Sequence, residues 1–291
     1  MRLAPGAWTT LGRAAYLACL GLALTAALEP VVKRRAAGIE YLIVFDASLS
    51  MATEDYAEGG FPRSRLDLAR DVFRQALPDL PPQARLTVAG FAGGTVQVFL
   101  LSHPARDLGA IEAALSVLEW DNVWDVGSRI DQGLRDIVVQ AQRSSVFSVA
   151  GRQRILPAPL NIFFFTDGGG ADARPQVLGD ATAWLLDNAR VTFVGVGQTR
   201  SSTVPEFRRA PLRDCLRDES GECITSRLNE GNLRSLADWL EGRYEPLGDA
   251  EQLRRLMLEE PLTGAESDVA RGIGWLFGLG ALALFLVGSL A

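Results

Sequence analysis

Residues 39–51 read Ile39-Glu40-Tyr41-Leu42-Ile43-Val44-Phe45-Asp46-Ala47-Ser48-Leu49-Ser50-Met51. The apolar run from Tyr41 to Phe45, rich in β-branched and aromatic residues, predicts a strand buried on both faces, and it stops abruptly at Asp46. Asp46, Ser48 and Ser50 then place three oxygen side chains at alternate positions. A carboxylate and two hydroxyls leaving the carboxyl end of a central strand can converge on one hard cation, because Mg²⁺ prefers oxygen ligands in near-octahedral array at about 2.0–2.1 Å. Neither thiol nor imidazole is required.

Downstream, strand and helix patterns alternate. Over 64–77 the apolar residues Leu66, Ala69, Val72, Phe73, Ala76 and Leu77 mark one face of a helix, stopped by Pro78 and the Pro81-Pro82 pair. Segments 85–91 and 95–101 read as strands whose short link through Gly93-Gly94 implies an antiparallel hairpin. Amphipathic helices are expected over 107–118 and 129–141, with Trp120 and Trp124 flanking Asp121 and Asn122 between them. Strands at 160–165 and 190–196 and helices at 176–188 and 232–240 complete the series. The fold class expected is α/β, a doubly wound, mostly parallel sheet with one antiparallel edge strand and right-handed crossovers. Ligands in such sheets sit beyond the carboxyl ends of the strands where strand order reverses. Asp46 and Asp167 both leave that edge.

The two ends of the chain have a different character. Residues 272–291 carry no charge and would span about 30 Å as a helix, which matches a bilayer core. Residues 14–28 are an uncharged Leu/Ala-rich run, read as an uncleaved anchor, with a cleaved secretory signal as the alternative. The expected organisation is therefore an amino-terminal transmembrane anchor or signal over 1–35, a globular domain over 36–248, a juxtamembrane helical linker over 249–270 and a transmembrane helix over 271–291. Two observations pull the orientation in opposite directions. Lys33, Arg34 and Arg35 follow the first apolar run and would hold that side in the cytoplasm. Cys215 and Cys223, separated by seven residues in a polar loop, could close a disulfide in an oxidising compartment.

Composition removes several function classes. A net charge of -6 and a pI near 5.0 leave no basic patch able to displace counterions from nucleic acid. Gly168-Gly169-Gly170 lacks the Lys-Ser/Thr ending of a phosphate-binding loop, and Val194-Gly195-Val196-Gly197 is too short for a dinucleotide fingerprint. His103 is the single histidine and no Gly-x-Ser-x-Gly elbow occurs, which argues against a Ser-His-Asp hydrolase. Position 48 is Ser where an aspartyl-phosphate enzyme would want a second Asp. Taken singly, Asp46, Ser48, Ser50, Ser128 and Asp167 would each be ordinary turn or helix-capping residues. Jointly, capping gives no reason for carboxylates to end two apolar strands beside hydroxyl-rich loops.

The Asp46-x-Ser48-x-Ser50 spacing resembles the metal-ion-dependent adhesion site of von Willebrand factor A domains. Gly127-Ser128-Arg129-Ile130 is similar to the Gly-Thr-x-Ile segment of such domains, with Ser128 in place of Thr, and Phe165-Thr166-Asp167-Gly168 matches their Thr-Asp-Gly element. The 46–55 segment, Ser64-Arg65-Leu66 and the run from Val88 through Gly94 further resemble bacterial membrane proteins of the Bat, or aerotolerance, type. The Leu118–Trp124 segment is similar to accessory proteins of methanol-oxidation operons, which are associated with MoxR-type AAA+ ATPases and with maturation of a periplasmic dehydrogenase. The resemblance covers roughly residues 40–246, with two departures: Leu49 stands where Gly is usual, which would reshape access to the metal, and Ser128 replaces Thr.

What the resemblance implies is binding rather than turnover. Mg²⁺, or Mn²⁺ or Ca²⁺, would be held by Ser48, Ser50 and Ser128 directly, with Asp46 and Asp167 coordinating or holding bound waters. An open position on the ion would receive an acidic side chain from a protein partner. The expected role is a non-enzymatic assembly or maturation factor in the bacterial inner membrane with its domain in the periplasm, working with other von Willebrand factor A membrane proteins and a MoxR-type ATPase. A metal-dependent hydrolase or phosphatase in the same crevice is the alternative.

Overall fold

The computed structural model describes residues 17–25, 27–28, 31–58, 60–119, 127–142, 160–170, 178–206, 215–260, 263–272 and 277–282. Two compact units emerge, one formed by the two ends of the chain (1–36 and 266–291) and one by residues 37–265.

The central unit is built on a sheet whose strands are β1 (Val31–Asp46), β4 (Ala84–Ala92), β5 (Thr95–Pro104), β6 (Leu160–Thr166), β7 (Ala189–Gly195) and β10 (Arg243–Pro246), in the spatial order β10-β7-β6-β1-β4-β5. A last strand, β11 (Thr263–Gly272), pairs with β1 off this path and completes a seven-stranded sheet. The β10-β7, β7-β6, β6-β1 and β1-β4 pairings are parallel, and β5 runs antiparallel to β4 as the edge strand. Two small hairpin-like pairings stand apart, β2 (Tyr56–Glu58) with β3 (Phe61–Arg63) and β8 (Ser202–Thr203) with β9 (Thr225–Ser226).

Residues Tyr41 to Phe45 form the middle of the sheet because every side chain there is apolar or aromatic and therefore suits burial on both faces. Alternation sorts them. Tyr41, Ile43 and Phe45 face a layer made by α1 (Arg65–Ala76), α2 (Leu108–Ser116) and α6 (Ala250–Glu259), through Leu66, Phe73, Ile111, Leu115, Leu253 and Met257. Leu42 and Val44 face the opposite layer, α3 (Ile130–Gln142), α4 (Asp180–Asn188) and α5 (Glu230–Trp239), through Leu134, Ile137, Leu185, Leu233 and Leu236. Phe45 stacks on Phe165 with ring centroids 4.8 Å apart and meets Phe73 edge-on at 5.6 Å. Burying one such ring contributes about 1.5–3 kcal/mol, so this triplet is a main fastening of α1 to the sheet.

Helix starts follow local chemistry. Ser64 accepts from the Asp67 backbone N–H ahead of α1, Asp107 accepts from Ala110 ahead of α2, Asn229 from Asn232 ahead of α5 and Asp249 from Gln252 ahead of α6. Segment 249–270 differs from the helical linker expected of it. Residues Ala250–Glu259 are helical, yet Leu253 and Met257 are buried in the core and the Tyr41 hydroxyl donates to Met257 O at 2.6 Å; Thr263–Gly272 is a strand. The amphipathic pattern of α6 reads as a linker helix by itself, and only the vacant sheet face shows what covers its apolar side.

Of the apolar runs at the ends, 17–25 and 277–282 are helical, and Cys19 Sγ donates to Ala281 O at 3.1 Å. Among the described residues no helix is long and apolar enough to cross a membrane. Residues 14–16 and 26 of the first predicted span and 273–276 and 283–291 of the second lie outside the described residues, as does the Trp120–Trp124 segment.

Candidate metal centre

Strand order reverses between β1 and β6: β1 continues to β4 on one side, and the chain later returns to lay β6 on the other. Phe45 is in register with Phe165, so Asp46 and Asp167 leave adjacent strands at the same edge, in the crevice where such sheets bind ligands.

Asp46 is wholly buried and organises three segments. Its Oδ1 accepts the Ser48 backbone N–H at 2.9 Å, which fixes the turn after β1. Its Oδ2 accepts the Ser128 hydroxyl at 3.0 Å and the Thr166 hydroxyl at 2.6 Å. Because Ser128 O–H donates to the carboxylate, the lone pairs of Ser128 Oγ are left for a cation. The Ser48 and Ser50 hydroxyl oxygens lie 3.2 Å apart. Neighbouring ligands on an octahedral ion at about 2.1 Å stand about 3.0 Å from one another, so this pair suits adjacent positions on one Mg²⁺ or Mn²⁺. Among the described residues no group of three His, Cys, Asp or Glu side chains could hold a metal. The donor set is therefore rich in hydroxyls, and its oxygen-only chemistry fits a hard cation.

The loops are held by close backbone approaches. Ala47 N–H donates to Phe91 O at 2.7 Å, and Gly93 N–H to Gly127 O at 2.8 Å, with Arg129 Nε also donating to Gly93 O at 2.8 Å. Gly170, at φ +94°, brings the loop after β6 against the Ser128 carbonyl so tightly that a Cβ there would lie 2.0 Å from that oxygen. Only glycine fits at such a conformation and distance.

Asp167, also wholly buried, has both oxygens engaged. Oδ1 accepts the Gly169 N–H at 2.8 Å; Oδ2 accepts Arg65 Nη1 at 2.8 Å and the Ser226 hydroxyl at 2.9 Å. Arg65 is the residue that sequence reasoning missed. Its guanidinium is completely buried and bridges Asp167 to Asp55, whose Oδ2 accepts Arg65 Nε at 2.9 Å and Nη2 at 2.6 Å. A signal was present: Arg65 lies four residues before Ala69 and eight before Phe73, on the buried stripe of α1, and a charge on an apolar stripe needs a partner. Thr166, quoted for its place in the Thr-Asp-Gly element but left out of the ligand set, is the second hydroxyl that orients Asp46.

The electrostatics follow from burial. Loss of water and then the nearby Asp167 carboxylate push the Asp46 carboxyl up to about 6, against lowering hydrogen bonds from Ser48 and Thr166. A cation at the serines would favour the ionised form.

His103 stands elsewhere. It sits late in antiparallel β5, opposite Leu86 near the start of β4, at the other edge of the sheet, with Nε2 2.7 Å from Asp107 Oδ2. It cannot serve as a base for Asp46 or the serines.

Two solved structures share this architecture. An aerotolerance-related membrane protein from Bacteroides fragilis superposes with a TM-score of 0.59 at 19% identity, covering 77% of this chain and 98% of that one. The conserved hypothetical protein BatB from Bacteroides thetaiotaomicron superposes with a TM-score of 0.56 at 22% identity, covering 76% and 95%. The fold shared with them is a doubly wound α/β sheet with an antiparallel edge strand. No family model matches the sequence, and no curated protein matches it. Within this fold, the three sequence elements quoted for the resemblance meet at one edge: Asp46, Ser48 and Ser50 from the β1 loop, Ser128 ahead of α3, and Asp167 after β6.

Proposed function

We propose that this chain is a membrane-anchored, divalent-metal-dependent protein-binding module. The observation that carries this reading is that buried Asp46 accepts from the Ser48 N–H and the Ser128 hydroxyl, while the Ser48 and Ser50 hydroxyl oxygens lie 3.2 Å apart, so the three serines gather at one crevice. When bound there, Mg²⁺ or Mn²⁺ would supply a Lewis-acidic position able to take an anionic side chain. Ser48, Ser50 and Ser128 would hold the ion, while Asp46 and Asp167 orient hydroxyls and bound water. With Asp167 already paired to Arg65, the protein brings little negative charge to the ion, which favours an acidic residue from a partner as the completing ligand.

The module reading is favoured over hydrolysis because the described residues of the crevice supply no imidazole base, and His103 lies at the opposite edge. Anchoring rests on the uncharged runs 14–28 and 272–291. A periplasmic position for the domain is favoured by the bond between Cys215 and Cys223, and Lys33-Arg34-Arg35 weighs the other way. The assembly role, the Bat-like partners and the MoxR-type ATPase come from the resemblance of the sequence elements.

Calorimetry on the full chain tests the reading. One Mg²⁺ or Mn²⁺ site is expected, lost in Asp46→Ala; undiminished binding in that variant would end the assignment. Alkaline phosphatase and green fluorescent protein fused after residue 245 test the side of the membrane, and fluorescence without phosphatase activity would place the domain in the cytosol.

A further inference from the structure

A cleft of about 440 Å³ opens beside Ser50 and ends at the flap that the Cys215–Cys223 disulfide closes. Its apolar wall has separate sources: Leu49, between the two metal-side serines; Val204, just after β8; and Leu216 with Ile224 from the flap. The flap residues are laced to one another by backbone hydrogen bonds. Val204 N–H donates to Ile224 O at 2.9 Å, Leu216 N–H to Val204 O at 2.8 Å and Ile224 N–H to Leu216 O at 2.7 Å. The disulfide joins residues eight apart around this ladder, so the wall is a built surface rather than a free loop. Ile224 nevertheless leaves 37% of its surface exposed, a branched aliphatic group kept at the water's edge. Among the described residues lining the cleft Arg227 is the charged one, and it is exposed.

We propose that this cleft reads the neighbour of the partner's acid. The ligand is an extended peptide segment in which a carboxylate meets the metal at Ser48, Ser50 and Ser128, and an adjacent or next-but-one branched aliphatic side chain packs on Leu49, Leu216 and Ile224. The inference rests on the metal-docking reading and adds the chemistry of the partner to it. Charge favours the same occupant, since a cation held at the serines would stand at one end of the cleft and Arg227 lines it as well. Size agrees, because about 440 Å³ suits a side chain or two. Position 49 also bears on this. A glycine there would leave the metal end of the wall open, and Leu49 supplies the first apolar contact beside the ion.

Fluorescence anisotropy on the full chain in Mg²⁺ tests it with the labelled peptides Gly-Asp-Leu-Gly, Gly-Asp-Gly-Gly and Gly-Asn-Leu-Gly, with Mg²⁺ affinity measured separately by calorimetry. The Asp-Leu peptide is expected to bind roughly tenfold or more tightly than the Asp-Gly peptide, the factor that burial of a leucine side chain supports. The Asn-Leu peptide is expected to bind weakest, and Ile224→Ser to bring the Asp-Leu to Asp-Gly ratio towards one. Equal binding of Asp-Leu and Asp-Gly peptides, or no peptide binding by a chain that binds Mg²⁺, overturns the cleft assignment and leaves the metal site standing. Absence of Mg²⁺ binding overturns the metal reading instead.

Discussion

Arg65 Nη1 donates to Asp167 Oδ2 at 2.8 Å, and neither side chain has any exposed surface. A fully buried ion pair is held by mutual compensation, so removing one partner is far more costly than its net contribution suggests. Arg65 also donates to Asp55 and to the Ser226 carbonyl and hydroxyl, and so it ties α1 to the loops that carry the metal-side residues.

Replacing Arg65 by Met should therefore destabilise the domain by about 3–5 kcal/mol, because two buried carboxylates lose their cation. Urea unfolding of the variant against the wild type measures this. A loss below about 1 kcal/mol would show that Asp55 and Asp167 find other partners.

Ser128→Ala should weaken Mn²⁺ binding by at least about tenfold while leaving the fold intact, since it removes one hydroxyl ligand and the single hydrogen bond that Ser128 donates to Asp46. The comparison is by titration calorimetry on wild type and variant, with circular dichroism as the check on folding. Equal affinities would take Ser128 out of the site.

The pH dependence follows from Asp46. Its carboxyl, pushed up to about 6 by burial first and by Asp167 next, stays protonated in the metal-free fold under mildly acidic conditions. The sign is that of a raised acid: the stability this group contributes is complete below its ordinary value of 3.8 and is lost as pH rises through about 6. Cation binding works in the opposite sense, because the ionised form is the one that accompanies the metal. Mg²⁺ affinity is therefore expected to fall as pH drops through about 6, approaching tenfold per pH unit below it, and stabilisation by Mg²⁺ in thermal melts should shrink in parallel. A flat affinity from about pH 5 to pH 8 would contradict this.

Gly170→Ala should disrupt the site more than its size suggests. The new methyl would lie 2.0 Å from the Ser128 carbonyl oxygen, and φ of +94° is unfavourable for alanine. About 1–3 kcal/mol of backbone strain would add to the displacement of Ser128. Thermal denaturation and Mn²⁺ titration on the same variant should both show the loss.

Phe45→Ala tests the core beneath the site. Deleting a ring stacked on Phe165 and packed against Phe73 should cost about 3–5 kcal/mol by urea unfolding.

By itself, the sequence determined five strands of the sheet, β1, β4, β5, β6 and β7, together with the doubly wound class and the first half of the site. Tyr41 to Phe45 could be read because a strand buried on both faces must be apolar throughout, and Asp46, Ser48 and Ser50 are local to it. The hairpin through Gly93-Gly94 was equally local, as was the Ser64 cap of α1. What the tertiary structure alone decided depends on contacts distant in the chain. Asp46 receives hydroxyls from residues 82 and 120 positions away, and Arg65 finds Asp167 across 102. The packing of α6 on α1, which places Met257 beside Tyr41, and the flap that sets Ile224 near Leu49 have the same origin. Periodicity reports which face of an element is apolar, while the identity of the surface that covers it is fixed only when the strand order brings remote segments to one edge.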